Sequence, residues 1–259
     1  LKAHSVPVVT TQRPLLDTAG TGGDGSGTFN ISTCAGLVVA AAGVPVAKHG
    51  NRGVSSKVGS ADVLEAAGAY LDLGPTESGQ LIDELGYGFL FAQRFHPAVS
   101  IVAGVRCERR LRGMFNTLGP LANPADAERQ LLGVYDAALT RPVAKALRAL
   151  GVEAAVVVHC AGLDEIGLHG VTTGHRLIDG EVEPFLLDPN ELGLQSADVS
   201  ELAGGDAQEN VAIMRDVLGG ALGPRSDAVA VNAAVALELA GAVASIPEGL
   251  ERAREILAA

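Results

Sequence analysis

The groups best suited to chemistry lie between residues 17 and 62. A glycine-rich turn, Gly20-Thr21-Gly22-Gly23-Asp24-Gly25, runs into small hydroxyls and an amide, Thr28-Phe29-Asn30-Ile31-Ser32-Thr33. An Ala/Val-rich stretch follows, and then a second polar run, Lys48-His49-Gly50-Asn51-Arg52-Gly53-Val54-Ser55-Ser56-Lys57. Glycine lets backbone N–H groups approach an anion, and a helix N-terminus adds partial positive charge. Two such loops, each leading into a helix, point to a polyanion cradle. A Gly-rich turn before a helix is by itself a common strand–helix connection. The second loop moves the reading toward anion binding. Lys48, Arg52 and Lys57 stand together in an otherwise acidic chain, and Ser55, Ser56 and Ser60 add hydroxyls without bulk.

Other candidates are weaker when read alone. Asp164 and Glu165 are adjacent carboxylates after the apolar run AAVVVH. Such a pair in a loop is usually a solvated turn, and its place behind a buried strand is what favours a metal or ligand role. Arg106 is one of four arginines between residues 106 and 112, where surface ion pairing is the plain reading. His96 precedes Pro97 and also suits a helix cap, and Gly119-Pro120 also suits a turn. His4, His159, His169 and His175 have no companion pattern. No Ser-His-Asp or Cys-His arrangement is visible, and no general base is assigned.

The elements that must carry these groups read as α/β. Strands are expected over 15–19, 44–47, 70–73, 89–92, 131–135 and 154–159. Helices are expected over 31–43, 60–67 with Ser60 as N-cap, 75–85 ended by Gly86, 97–111, and 142–150 with Pro142 at the first turn. Hairpin and loop fill 170–201, and helices close the chain over 205–218, 226–241 and 247–257. Strand–loop–helix alternation predicts a largely parallel sheet flanked by helices, with ligands outside the carboxyl ends of the strands. The rhythm breaks over 94–124.

Composition sets the outer bounds. The chain has 259 residues, 47% hydrophobic, 3% aromatic and without Trp, so Ala, Val and Leu must build the core. A net charge of −11 argues against a nucleic-acid or anionic-membrane binder, and any phosphate site must be local. Cys34, Cys107 and Cys160 show no paired spacing, so free thiols and a cytoplasmic location are expected. No apolar run approaches the length of a membrane helix, and no signal peptide is evident.

GTGGDGSGTFNIST and KHGNRGVSSKVGSADVLEAAGA resemble the anthranilate phosphoribosyltransferases. The likeness continues through FLFAQRFHPA, LRGMFNTLGPLANP, GLDEI, the text at 204–213 and AVAVNAAVAL, covering nearly the whole chain. It implies transfer of a phosphoribosyl group from 5-phosphoribosyl 1-pyrophosphate to the amine of anthranilate, with Mg²⁺, in tryptophan biosynthesis. It implies an α/β domain over 13–93 and 125–259, with 1–12 and 94–124 as the remnant of a small helical domain. The family carries further helices before the point matching Leu1, so the chain reads as a fragment; those helices make a homodimer contact. For the donor it implies Gly20, Gly23, Asp24, Thr28, Asn30, Ile31, Ser32, Thr33, Lys48, His49, Gly50, Asn51, Arg52, Gly53, Val54, Ser55, Ser56 and Ser60. For anthranilate it implies Gly20, Asn51, His96, Arg106 and Gly119, with the Arg106 guanidinium on the carboxylate. For Mg²⁺ it implies Ser32, Asp164 and Glu165.

Gly53 and Val58 stand where the family usually has serine, a loss of two hydroxyls from the second loop. Two rival readings remain at this point. A pyrimidine nucleoside phosphorylase would share the second loop but carry a different Gly-rich text in the first, and would not need paired carboxylates. A non-catalytic nucleic-acid-binding relative is opposed by the net charge.

Overall fold

The computed structural model describes residues 1–53, 57–97 and 114–259. A seven-stranded sheet in the order β3-β2-β1-β4-β5-β6-β7 forms its centre. Its strands are β1 (Leu16–Gly20), β2 (Val46–Gly50), β3 (Tyr87–Phe91), β4 (Arg129–Gly133), β5 (Ala154–His159), β6 (Thr172–Ile178) and β7 (Glu181–Leu187). The first five pair in parallel, and β6 and β7 add an antiparallel hairpin at one edge.

The interior strands are apolar on both faces, as a sheet covered on both sides requires. Leu131, Val156 and Val158 face a large core built with α1 (Ile31–Ala41), α2 (Ser60–Ala66) and three later helices. Ala155, Val157 and Leu132 face a smaller one under α6 (Thr140–Ala149). The helices between are α3 (Pro75–Leu85), α4 (Ala92–Phe95) and α5 (Met114–Leu118). The last three are α7 (Ala207–Leu218), α8 (Pro224–Leu239) and α9 (Ile246–Leu257). Every residue of α8 from Ala228 to Leu237 is buried, because α8 packs between α1, α9 and the sheet. Ala and Val dominate it, which lets the neighbouring helices approach closely.

Several boundaries differ from expectation. β2 runs on through Lys48 and His49, because its ladder with β3 continues as Lys48↔Phe89, His49↔Leu90 and Gly50↔Phe91. Lys48 is therefore a strand residue. No strand forms over 70–73; Tyr70 is 70% exposed, and β3 already occupies the edge beside β2. Gly59, not Ser60, is the N-cap of α2. Pro142 is the third residue of α6, where its missing N–H is still one of the four that a helix leaves unpaired. The helix expected over 97–111 falls outside the described residues from 98 onward, and with it Arg106 and Cys107.

β1 leads outward to β2 and β3, while β4 lies on its other side. The order in which strands are added therefore reverses between the parallel neighbours β1 and β4, and a crevice opens outside the carboxyl ends of these strands. The first loop leaves β1 at that crevice, and the second leaves β2 beside it.

Candidate active site

The crevice is a cleft of about 240 Å³. The first loop lines it with Gly20, Gly23, Asp24, Thr28, Asn30, Ser32 and Thr33. The second contributes Lys48, His49, Gly50, Asn51, Arg52, Gly53 and Ser60. Gly119, Asp164 and Glu165 complete it from the other elements. Ile31 does not line it: the side chain is fully buried in the core beneath α1. His96 stands behind His49, with the two Nε2 atoms 3.2 Å apart. Val54, Ser55, Ser56 and Arg106 lie outside the described residues.

Asp164 and Glu165 are pinned from β5 against the first loop. Gly22 N–H donates to Asp164 Oδ2 at 2.6 Å, and Ser32 N–H to Glu165 Oε1 at 3.1 Å. The Asp164 N–H points at Asp24 Oδ2 from 3.4 Å. Burial pushes both carboxyls up, Glu165 to about 7, and repulsion from Asp24 and Glu165 raises Asp164 further. Glu165 also takes up the free end of α1, so the positive end of that helix already faces a carboxylate.

Lys48 is 2% exposed. Its ammonium donates to the Thr18 carbonyl and lies 3.4 Å from Ser32 Oγ. Burial pulls its pKa down, while Asp17 and Glu165 hold the charge in place. It is thus a buried counter-ion to the acidic floor rather than an exposed phosphate grip. Arg52 is likewise paired within the protein. Its guanidinium is committed to Glu65 at 2.6 Å and Asp62 at 3.1 Å and lies over the Phe91 ring. Asp62 also accepts from Gly53 and Gly59 N–H, closing the turn around the helix start.

Among the described residues the cleft therefore carries Asp24, Asp164 and Glu165 against one buried ammonium. This excess of negative charge, with all-oxygen donors, suits a hard divalent cation. The Thr33 hydroxyl is buried at the cleft without a hydrogen-bond partner, a further oxygen held ready. No three metal-ligating side chains are gathered about one point among the described residues. Mg²⁺ is commonly held by one or two carboxylates with waters and substrate phosphates.

The chain matches the family model described as "Glycosyl transferase family, a/b domain" over residues 12–259. It is 51% identical over 241 residues to the anthranilate phosphoribosyltransferase of Methanocorpusculum labreanum, covering 93% of this chain and 71% of that protein. The chain belongs to the anthranilate phosphoribosyltransferase family. The crystal structure of the Thermus thermophilus member superposes with a TM-score of 0.91 at 48% identity, covering 98% of this chain and 76% of that one. A Saccharomyces cerevisiae member, solved in complex with PRPP and Mg, gives a TM-score of 0.87 at 30% identity, covering 98% of this chain and 72% of its own. The same yeast enzyme has been solved with 4-fluoroanthranilate.

Some site-forming residues of this family member were not legible as such. Asp17, in β1, is fully buried and accepts from His49 N–H at 3.1 Å and from Asn123 Nδ2 at 2.8 Å. Asn123 also donates to the Ala47 carbonyl at 2.8 Å, and Gln130 donates to the Pro120 carbonyl at 2.8 Å. This knot fastens the 119–124 turn to β2 where His49 enters the cleft. A polar residue inside an apolar strand, as in LLDTAG and RQLLG, was its signal. Burial and the His96 ring take the His49 imidazole down to about 3, so it is neutral at the cleft edge.

Proposed function

We propose that this chain transfers the phosphoribosyl group of 5-phosphoribosyl 1-pyrophosphate to the amine of anthranilate, with Mg²⁺, as a step of tryptophan biosynthesis. The observation that carries this reading is the buried Asp164–Glu165 pair, held by N–H groups of the Gly-rich loop and of α1 on one wall of a cleft. A ribosyl transfer breaks the bond from C1 to the pyrophosphate oxygen and makes one from C1 to nitrogen. Negative charge grows on the leaving pyrophosphate and positive charge on the ring, so positioning and charge stabilisation do most of the work.

Ser32, Asp164 and Glu165 would hold Mg²⁺, which neutralises charge on the pyrophosphate oxygens. Lys48 balances the carboxylates and sits within reach of Ser32 Oγ, so it sets the hydroxyl as well as the charge. The donor would lie between Gly20, Gly23, Asp24, Thr28, Asn30, Ser32 and Thr33 on one wall and the Lys48–Ser60 loop on the other. Asn51, Gly119, Gly20 and, behind them, His96 would border the acceptor, with Arg106 meeting its carboxylate. Ile31 offers the donor no side chain, since that side chain is in the core, and its N–H already donates to the Phe29 carbonyl at 2.8 Å. The anthranilate amine is nucleophilic when neutral, and the proton it loses on forming the C1–N bond would go to water or to the departing pyrophosphate.

The small helical domain is proposed to comprise 1–12 and 94–124. Val6 N–H donates to the Phe95 carbonyl at 2.8 Å and Val8 N–H to the Pro124 carbonyl at 2.9 Å, which ties the two stretches together. A cytoplasmic homodimer is proposed from the family likeness, and sedimentation would read the oligomeric state.

Calorimetric titration of phosphoribosyl pyrophosphate tests the donor site. Binding is expected with Mg²⁺ and lost in EDTA or in the Asp164→Asn, Glu165→Gln double variant. Equal affinity in the folded double variant at limiting Mg²⁺ would remove the metal assignment.

A further inference from the structure

The 204–213 stretch, part of the family-like text, supplies no lining residue to the cleft. It packs behind the first loop instead. Gly204 N–H donates to the Gly27 carbonyl at 2.9 Å, and Phe29 N–H to the Leu202 carbonyl at 3.0 Å. Thr28 and Ala203 form an isolated antiparallel bridge. Arg225, at the start of α8, donates from Nη2 to the Ala203 carbonyl at 2.8 Å. The approach leaves no room at Gly204, where a β-carbon would lie 3.0 Å from Phe29 Cα and 2.6 Å from Asn210 Oδ1.

Asn210, on α7, is 2% exposed. Its Oδ1 accepts from Gly205 N–H at 2.8 Å, and its Nδ2 donates to Asn30 Oδ1 at 3.0 Å. Asn30 Nδ2 in turn donates to the Val58 carbonyl at 3.3 Å. The relay runs one way, and its two ends set the direction. Gly205 N–H can only donate and the Val58 carbonyl can only accept. Turning either amide over would therefore face donor to donor or acceptor to acceptor. Asn30 lines the cleft from the first loop and Val58 from the second.

We propose that Asn210 is a positioning residue for the donor: through Asn30 it holds the two phosphate-facing loops at one separation and so sets donor affinity without touching the donor. This rests on the donor reading of the cleft given above. A buried relay of this kind is rigid when every member is satisfied and costly when one is removed. Its loss therefore appears in whatever both loops must grip together. That is chiefly the pyrophosphate end of the donor, since the acceptor would meet these loops only at Gly20 and Asn51.

The test is a double-mutant cycle on Asn210→Ala and Asn30→Ala, read as KM for phosphoribosyl pyrophosphate, KM for anthranilate and kcat. Asn210→Ala is expected to raise the donor KM about five- to tenfold, the scale of one lost hydrogen bond, with the anthranilate KM within about twofold. In the Asn30→Ala background it should add less than about twofold, because the partner is already gone. Independent, multiplying effects would overturn the coupling while leaving the donor reading intact. An Asn30→Ala protein with unchanged donor KM would overturn the donor reading at Asn30 and the proposal with it. Asn210→Asp keeps the volume and the acceptor for Gly205 but sets an acceptor against Asn30 Oδ1, so it should show the same split. The wild-type protein offers a check that needs no variant. Magnesium pyrophosphate should slow hydrogen exchange at the Gly205 amide, which donates to Asn210 and does not line the cleft. Unchanged exchange there at saturation would overturn the proposal.

Discussion

Asp17 shows how a single buried group can be read as a balance of terms. Burial raises its pKa to about 6, against the pull of Lys48, Asn123 and two backbone N–H groups. Its native value thus lies above the ordinary carboxylate value. Between about pH 4 and 6 the native state holds more protons than the unfolded chain, so this group's contribution to stability falls as pH rises through that window. The full span is about 3 kcal/mol, at order of magnitude. Asp17→Asn should remove that slope. The variant carries a separate, pH-independent cost, since an amide cannot accept from both His49 N–H and Asn123. Denaturant midpoints of the two proteins, measured from pH 4 to 7, should converge as pH rises. Parallel curves would mean that Asp17 stays ionised throughout. The ordinary reading of Asp17, a strand residue before a Gly-rich turn, contained none of this. What matters at this scale is which neighbours a side chain meets across more than a hundred residues of sequence, as with Asn123 and Gln130.

At the scale of elements, the acidic pair is aimed by contact between strand ends rather than by its own loop. Gly133, the last residue of β4, lies directly beneath the Asp164 backbone. A β-carbon there would come 1.5 Å from the Asp164 carbonyl oxygen, which no rotamer change can relieve. Gly133→Ala should therefore displace the turn after β5, with a stability cost of about 1–3 kcal/mol for overpacking. The loss of Mg²⁺-dependent donor binding should be larger than that of anthranilate binding. A variant with wild-type Mg²⁺ dependence would show that the turn is placed by Gly22 and Asp24 alone. The alternation of strands and helices, the apolar run of β5 from Ala154 to Val158 and the Pro75–Leu85 helix were legible because local pattern decides them. The segment at 70–73 was misread because apolar content cannot report that no neighbouring strand is available. β2 was cut short because a charged residue ordinarily ends a strand, whereas Lys48 stays inside one by carrying its charge to Asp17 and Glu165. The two loops and the carboxylate pair stood out in the sequence as spacing and residue type. Their mutual capping did not, since Glu165 on Ser32 and Asp62 on Gly53 are long-range or turn-closing bonds that no local pattern encodes.

At the scale of the whole molecule, a chain of net charge −11 is proposed to bind a polyanion. The cleft does not reverse that sign, since its described charges are mostly carboxylates with Lys48 buried among them. Arg52 adds little outward field, because Asp62 and Glu65 neutralise it where it stands. Attraction at the site must then be local and come from N–H groups, hydroxyls and the metal, while the rest of the surface repels the approaching donor. Salt separates the two contributions. Charges more than about 10 Å apart are screened at 0.1 M ionic strength, whereas contacts inside a cleft are screened much less. The association rate of the magnesium-bound donor should therefore rise, by a few-fold, as monovalent salt increases from about 10 to 150 mM. A phosphate binder that works by a basic surface shows the reverse, a steep fall with salt. Stopped-flow association at saturating Mg²⁺ distinguishes the two. A fall in rate would mean that cations outside the described residues, such as Arg106, Arg109, Arg110 and Arg112, outweigh the acidic groups that the donor meets.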